Sequence, residues 1–515
     1  MKKQITLLFS LFVAILSAQD NTNTSIATKY AETITAEDMR EDLTILASDA
    51  LEGRETGTRG QKMAAAYIRA HFEELGLQAP VIDGDKMSYY QDVKLKTSKP
   101  GEVYLKVGGK KLTNLKEFLY YGDAQNTEEI TSEVVFVGGG SEKEFDAVDV
   151  EGKIILFVNP NRRERGVILK RAKERGVYTA LAVRSLDDEE FNTLLARYSG
   201  FFARESMSLD VEGDIESDEE ASGMFYVSPT IAGEILGKSF DDLTKAIDDF
   251  NTGKVKALKR IKSKKVSYKI DFISKKILSE NVLGYLEGSD LKEELLVITS
   301  HYDHLGIKNG KIYNGADDDG SGTVAVMDIA EAFVKAKADG NGPRRSILFM
   351  TVTAEEKGLL GSEFYADNPI FSLESTVADL NIDMIGRIDD RELESQDYVS
   401  LVGADKLSTE LHEISEQMNK MHTNLFLDYT FNDVNHPERI YYRSDHWNFA
   451  KNGIPVIFYT TGSHPDYHKS TDTVEKIEFE LMTRRTKLVF YTAWEIVNRD
   501  KRLVVDKKMD SNVKR

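Results

Sequence analysis

The sequence predicts an α/β protein with an open, mostly parallel central sheet sandwiched by helices, interrupted by a β-rich insertion. Three observations carry this. From about residue 280 onward, apolar strand-like runs alternate with helical segments, as parallel strands linked by crossover helices do. Between about 98 and 262 the texture changes to short β-rich runs with Gly-rich turns between them. The 515 residues are too many for one ordinary core, so two or three domains are expected.

The elements follow in chain order. Lys2 and Lys3 precede the apolar run Ile5 to Leu16, which is too short to span a bilayer, and Ser17 and Ala18 are small enough for cleavage. Residues 1–18 therefore read as a signal peptide rather than an anchor helix, which makes the chain periplasmic or extracellular. Residues 19–97 begin the main domain. A helix is expected over Ala36 to Leu46, then the Gly-rich turn Glu52 to Gly57, then an amphipathic helix from about Gln61 to Leu75, closed by Gly76. Residues 98–262 form the insertion, with strands at Glu133 to Val137, Lys153 to Val158 and Thr179 to Val183, and a helix at Val167 to Arg175. The acidic run Asp210 to Glu220 reads as a solvated loop, and the basic stretch Lys259 to Lys265 as an exit linker. Residues 263–515 complete the main domain. Strands are expected at Leu295 to Thr299, Ser346 to Thr353, Val377 to Ile382, Tyr398 to Val402 and Ile454 to Tyr459. Helices are expected at Thr323 to Ala338, Ser408 to Lys420 and Phe479 to Asn498.

Composition narrows the function. With 41% hydrophobic and 30% charged residues, the chain is of the soluble globular class. A net charge of −19 repels phosphate and argues against a nucleic-acid partner. No stretch after the signal is long and apolar enough for a membrane span. The chain has no cysteine, so disulfides and thiolate metal sites are excluded. Any metal must be held by His, Asp and Glu.

Such residues gather where strands end. His301-Tyr302-Asp303-His304 follows the first strand of the main run, and Asp317-Asp318-Asp319 lies in the Gly-rich loop before the helix at Thr323. Glu355-Glu356, Asp383 and Tyr467-His468 follow three further strands. In open α/β sheets, active sites form at the carboxyl ends of strands. One Asp-rich loop is ordinarily a turn, and one Glu pair ordinarily a solvated face. Five such sites in one sheet pattern point to chemistry. Two neighbouring divalent metals need a bridging carboxylate and further N/O ligands, a set that suits catalytic zinc. A carboxylate beside them that binds no metal can act as general base.

The stretches Ser300 to Gly306, Asn314 to Gly322, Thr353 to Gly358, Asn381 to Gly386 and Tyr467-His468 resemble the co-catalytic zinc aminopeptidases, a family with glutamate carboxypeptidases, glutaminyl cyclases and the transferrin receptor ectodomain among its relatives. The resemblance implies the zinc exopeptidase fold and two Zn2+ ions. His301 and Asp383 would bind one zinc, Glu356 and His468 the other, and Asp318 would bridge them, with Asp317 as the weaker alternative. Glu355 would be the base activating the bridging water, Asp303 would orient the His301 imidazole, and Tyr467 would stabilise the oxyanion. Residues 98–262 resemble a protease-associated domain, through Gly152 to Phe157 and Lys170 to Val177.

The expected function is thus hydrolysis of N-terminal residues from peptides. A dipeptidase or carboxypeptidase on the same site is the alternative. A non-catalytic binding protein is disfavoured because ligands and base are all present, and a single-zinc cyclase because both ligand sets are complete. His464 is expected only to neighbour the site, since Pro465 disfavours a helical pair with His468. Ser444-Asp445-His446 is no triad, since adjacent residues do not converge and no Gly-x-Ser-x-Gly elbow exists.

Overall fold

The computed structural model describes residues 25–122, 124–161, 164–210, 222–262 and 264–508. The signal at 1–18 and residues 211–220 of the acidic run lie outside the described residues. The chain divides into two compact units. One comprises the chain up to Leu95 together with Ile277 onward, and the other comprises Lys96–Lys276.

The first unit holds the mostly parallel sheet. Its strands lie in the order Phe426–Asp428, Tyr398–Val402, Val456–Thr460, Thr376–Ile382, Leu291–His301, Arg345–Val352 and the end of Lys264–Leu286. The middle four run parallel to one another. Tyr398–Val402 is antiparallel to Val456–Thr460, and residues 282–286 are antiparallel to Arg345–Val352. Successive side chains leave a strand on opposite faces. Leu296, Ile298, Ile347, Phe349 and Leu380 accordingly enter one core, and Leu295, Val297, Leu348, Met350 and Phe458 another. Burial on both faces explains why these strands read as unbroken apolar runs.

Helices Gly322–Ala338 and Phe479–Asn498 cover the first face. Phe333 stacks on Trp494 at 5.7 Å and meets Phe490 at 4.9 Å. Each such buried side chain contributes roughly 1.5–3 kcal/mol. The expected helix Ala36–Leu46 forms, with the Thr35 hydroxyl accepting from Asp38 N at 3.2 Å and with Met39, Leu43 and Leu46 buried. The next helix spans Arg59–Glu74. No described helix is long and apolar enough to cross a membrane.

The second unit is itself an α/β layer structure, richer in helix than its texture suggests. Strands Asn126–Phe136, Ile154–Val158, Thr179–Val183 and Gly223–Tyr226 run parallel in that order, and Leu119–Gly122 closes the edge antiparallel. Helices Arg165–Lys173, Asp188–Phe202, Pro229–Leu236 and Phe240–Asn251 accompany them. Ile154 and Leu156 enter one core, and Ile155 and Phe157 another. The expected exit linker is instead a 3₁₀ turn at Leu258–Arg260 followed by the strand Lys264–Leu286. Val266, Tyr268 and Ile270 are buried along it. Lys264, Lys265 and Lys269, with Ser267, disguise a period-two strand as a basic linker.

Candidate metal centre

The register of the parallel strands brings their carboxyl ends level. His301 pairs with Val352, Thr299 with Asn381, and Ile382 with Tyr459. His301 thus ends its strand beside the one leading to Glu355 and Glu356. Asp383 follows Ile382, and His468 sits in the loop after Thr460. Asp318 lies in the turn Ala316–Ser321 that enters the helix Gly322–Ala338. Ala354, Met384 and His468 adopt left-handed backbone, with φ of 56°, 62° and 56°. Such conformations are costly for residues with a Cβ and concentrate at functional sites.

Asp318 occupies the centre. Its Oδ1 lies 3.4 Å from His301 Nε2, and its Oδ2 lies 3.1 Å from His468 Nε2 and 3.7 Å from His304 Nδ1. Asp383 Oδ1 stands 3.6 Å from His301 Nε2. Glu356 presents Oε2 to His468 Nε2 at 3.2 Å and Oε1 to His304 Nδ1 at 2.9 Å. The two oxygens of Asp318 therefore face two separate groups of donors. Two triplets, His301/Asp319/Asp383 and His304/Asp318/Glu356, have ligand atoms close enough together to hold an ion.

The donor set fits divalent metal. Ligands about 2.0–2.1 Å from a tetrahedral zinc lie roughly 3.3 Å apart, close to most of these separations. Asp318 Oδ2, Glu356 Oε1 and both His304 ring nitrogens are buried without a hydrogen-bond partner, an expensive condition that a shared cation relieves. Electrostatics agree. Burial disfavours a charged imidazole at His468, yet the neighbouring carboxylates of Asp318 and Glu356 push it up to about 10. Burial likewise opposes charge on His301, but Glu355 and Asp383 raise it well above the ordinary value. The carboxylates draw positive charge into this cluster.

Glu355 stands apart from the donors, its Oε2 3.9 Å from His301 Nε2. Burial raises its carboxyl well above the ordinary range. Tyr467 stacks on His468 at 3.9 Å and accepts from Arg443 Nη2 at 3.3 Å. Burial raises its phenol, keeping it a neutral donor. A cavity opens here, lined by His301, Glu355, Met384, Ile440, Phe458 and Tyr467.

Supporting residues differ in part from expectation. His301 Nδ1 faces the main-chain carbonyl of Asp303 at 3.1 Å, while the Asp303 carboxylate is 3.9 Å away. That carboxylate instead accepts from Thr56 Oγ1 at 2.7 Å and Glu355 N at 3.1 Å. Asp303 thus sets the position of Glu355, and its carbonyl, not its side chain, meets the imidazole. Asp317 turns away from the centre. Its Oδ1 accepts from Gly386 N at 2.6 Å, and its Oδ2 lies 3.2 Å from His464 Nε2.

Several residues of the site take roles that the sequence motifs do not assign to them. His304 enters the cluster. Ser444 Oγ donates to Asp383 Oδ2 at 2.6 Å and accepts from Asn381 Nδ2 at 2.9 Å. The Asp472 carboxylate accepts from the backbone N–H groups of Asp317 and Asp318, and Asp319 from those of His301, Gly322 and Met384. The buried Arg54, in the Gly-rich turn, donates to the carbonyls of Leu46, Tyr302, Asn314 and Gly315. The available signals were the His301/His304 spacing and the polarity of Ser444 and Asp472. Neither signal names its partner.

Residues 281–493 match the family model described as Peptidase family M28, a span that contains every candidate ligand. The chain is 24% identical over 358 residues to "Probable glutamate carboxypeptidase AMP1" of Arabidopsis thaliana, covering 64% of this chain and 48% of that protein. It is 27% identical over 238 residues to "Aminopeptidase YwaD" of Bacillus subtilis, covering 45% of this chain and 47% of that protein. The chain thus spans about half the length of these curated relatives. The solved structure "Aminopeptidase from Aneurinibacillus sp. strain AM-1" superposes with a TM-score of 0.52 at 18% identity, over 94% of this chain and 98% of that one. At that identity the likeness is one of fold.

Proposed function

Because its 281–493 region belongs to peptidase family M28, we propose that this chain is an exported zinc-dependent aminopeptidase that removes N-terminal residues from peptides. One observation carries the reading. Asp318 divides its two carboxylate oxygens between two donor groups, and Glu355 stands beside them without joining either. His301 and Asp383 would hold one zinc ion, Glu356 and His468 a second, with Asp318 shared. When bound, such a pair supplies Lewis acidity toward the scissile carbonyl and lowers the pKa of the attacking water.

The chain's own groups do the rest. Glu355 Oε2 accepts the proton of the attacking water and delivers it to the leaving amine, and a raised carboxyl pKa suits both halves of that task. The Tyr467 hydroxyl donates to the carbonyl oxygen as negative charge develops there. Met384, Ile440 and Phe458 give the cavity an apolar wall for a substrate side chain. Ser444 and Asn381 hold Asp383 in place.

A second reading rests on Arg443. Its guanidinium lines the same cavity, is 43% exposed, and lies 3.9 Å from Glu438, a loose ion pair. It could receive a substrate carboxylate, as a dipeptidase or carboxypeptidase requires. Assays with aminoacyl nitroanilides, free dipeptides and N-blocked peptides separate the two readings. Cleavage of the nitroanilides, lost with chelator and restored by zinc, is the expected result. Cleavage confined to N-blocked peptides with a free carboxylate would replace the aminopeptidase reading by the carboxypeptidase one.

A further inference from the structure

His304 has no role in the ligand set assigned above, yet its surroundings are those of a ligand. It is fully buried, and neither ring nitrogen has a hydrogen-bond partner. An imidazole stranded in this way loses its hydration without compensation. Its Nδ1 is only 2.9 Å from Glu356 Oε1, but the two are out of line for a hydrogen bond, since neither atom has one. Nitrogen and oxygen that approach without pointing at each other converge on a third position. His468 faces the same position from the other side. Its ring lies 6.0 Å from that of His304 at an interplanar angle of 61°, and its Nε2 is 3.1 Å from Asp318 Oδ2, which lies 3.7 Å from His304 Nδ1, and 3.2 Å from Glu356 Oε2.

The ring is held there by the backbone. His304 N donates to the Arg54 carbonyl at 3.2 Å. Gly315 leaves the space the ring occupies, because a Cβ at that position would fall 2.5 Å from His304 Cγ.

We propose that His304 is a fourth protein ligand of the second metal position, which becomes a closed site of His304, Asp318, Glu356 and His468. This rests on the two-metal reading above and extends it. The two positions become unequal. Among the described residues the first is faced by His301, Asp383 and the shared Asp318, while the nearby Asp319 spends its oxygens on the backbone N–H groups of His301, Gly322 and Met384, so its remaining coordination is open to water or substrate, whereas four protein ligands are the mark of a structural zinc. Glu355 lies on the open side, 3.9 Å from His301 Nε2. Metal loading is therefore stepwise: the His304 position fills first and tightly, and the His301 position fills second.

The test is metal binding, not activity. Wild type, His304→Gln and His304→Ala are stripped of metal and titrated with zinc against a competing chelator, with cobalt substitution as a spectroscopic reporter. Wild type should bind two ions with separated affinities. The variants should lose the tight step, weakening it by at least the roughly 10–100-fold seen when even an outer partner is removed, with the tetrahedral cobalt bands changed. Wild type with two ions and variants with unchanged affinities and spectra would overturn the role of His304 while leaving the two-metal reading intact. Wild type with no more than one ion would overturn both. Should the variants fail to fold, zinc X-ray absorption on wild type decides, since three imidazoles shared by two ions support the proposal and two refute it.

Discussion

Glu355 and Glu356 adjoin in sequence but occupy opposite environments. Burial and the charge of Asp318 oppose ionisation of Glu356, yet His304 and His468 pull its carboxyl down to about 2. Glu355 has no such pair of imidazoles, and burial raises it instead. Its side chain is also more open, 12% exposed against 4% for Glu356, which gives water readier access to Glu355 than to Glu356. Glu355→Gln keeps size and loses basicity. It should retain its metal and bind substrate nearly normally while kcat falls by roughly two to four orders of magnitude. Glu356→Gln should weaken one metal and be partly rescued by excess zinc. Metal analysis beside steady-state kinetics checks both. A Glu355→Gln protein that sheds zinc, with Glu356→Gln merely slow, would exchange the two roles.

At the scale of elements, the centre depends on two turns that carry few apolar residues. The turn around Arg54 supplies one guanidinium to four carbonyls, including those of Tyr302 and Gly315. The loop entering the helix Gly322–Ala338 is held by Asp472 and shaped by Gly315, whose φ is 56°. A Cβ on Gly315 would lie 2.3 Å from the Asp318 carbonyl as well as against His304. Gly315→Ala should therefore destabilise by more than the roughly 1–3 kcal/mol of a left-handed non-glycine residue, and should lower zinc affinity. Gly310, in the Asn309-Gly310 hairpin turn, is the control. Its φ is 73° and nothing lies within 4 Å of its missing Cβ. Gly310→Ala should pay only the conformational cost and keep its metal. Equal zinc affinity in the two variants, by chelator competition with denaturant unfolding alongside, would contradict this account of the loop.

The whole molecule is two α/β units, each with apolar side chains on both faces of its sheet. Global stability of the first carries a pH term from His446, which is fully buried, stacked on Phe458 at 4.7 Å, and bonded through Nε2 to the Tyr441 carbonyl at 2.9 Å. Burial pushes its imidazole down to about 3 from the ordinary 6.5. Above pH 6.5 the residue is neutral in both folded and unfolded chains and contributes no pH dependence. As pH falls below 6.5, the unfolded chain takes up a proton that the folded chain refuses. Stability then drops by about 1.4 kcal/mol per unit until the folded value is reached, on the order of 2 kcal/mol by about pH 5. Denaturant unfolding in saturating zinc at about pH 7.5 and about pH 5 should show a steeper loss in wild type than in His446→Gln by that amount. Parallel losses in the two proteins would remove His446 from the acid limb.

What could be read from sequence alone was whatever repeats locally. Apolar runs such as Leu295–Ile298 and the spacing of the helix Gly322–Ala338 announced a covered parallel sheet, and His, Asp and Glu at successive strand ends announced a metal-type cluster. The strand after Lys264 is hidden in the sequence because Lys265, Ser267 and Lys269 alternate with Val266, Tyr268 and Ile270, so polar composition outweighs period. Most helices of the 96–276 unit are masked in the sequence by its short strands and Gly-rich turns. Tertiary structure alone decided the partners. That Asp303 serves Glu355 and Thr56, that Ser444 holds Asp383, that Asp472 grips the Asp318 loop and that His304 faces His468 are facts about groups far apart in the chain. Their meeting is set by the register of parallel strands and by turns in left-handed backbone. Period is a local property of a segment, whereas register is a property of pairs of segments, and no single stretch of sequence contains it.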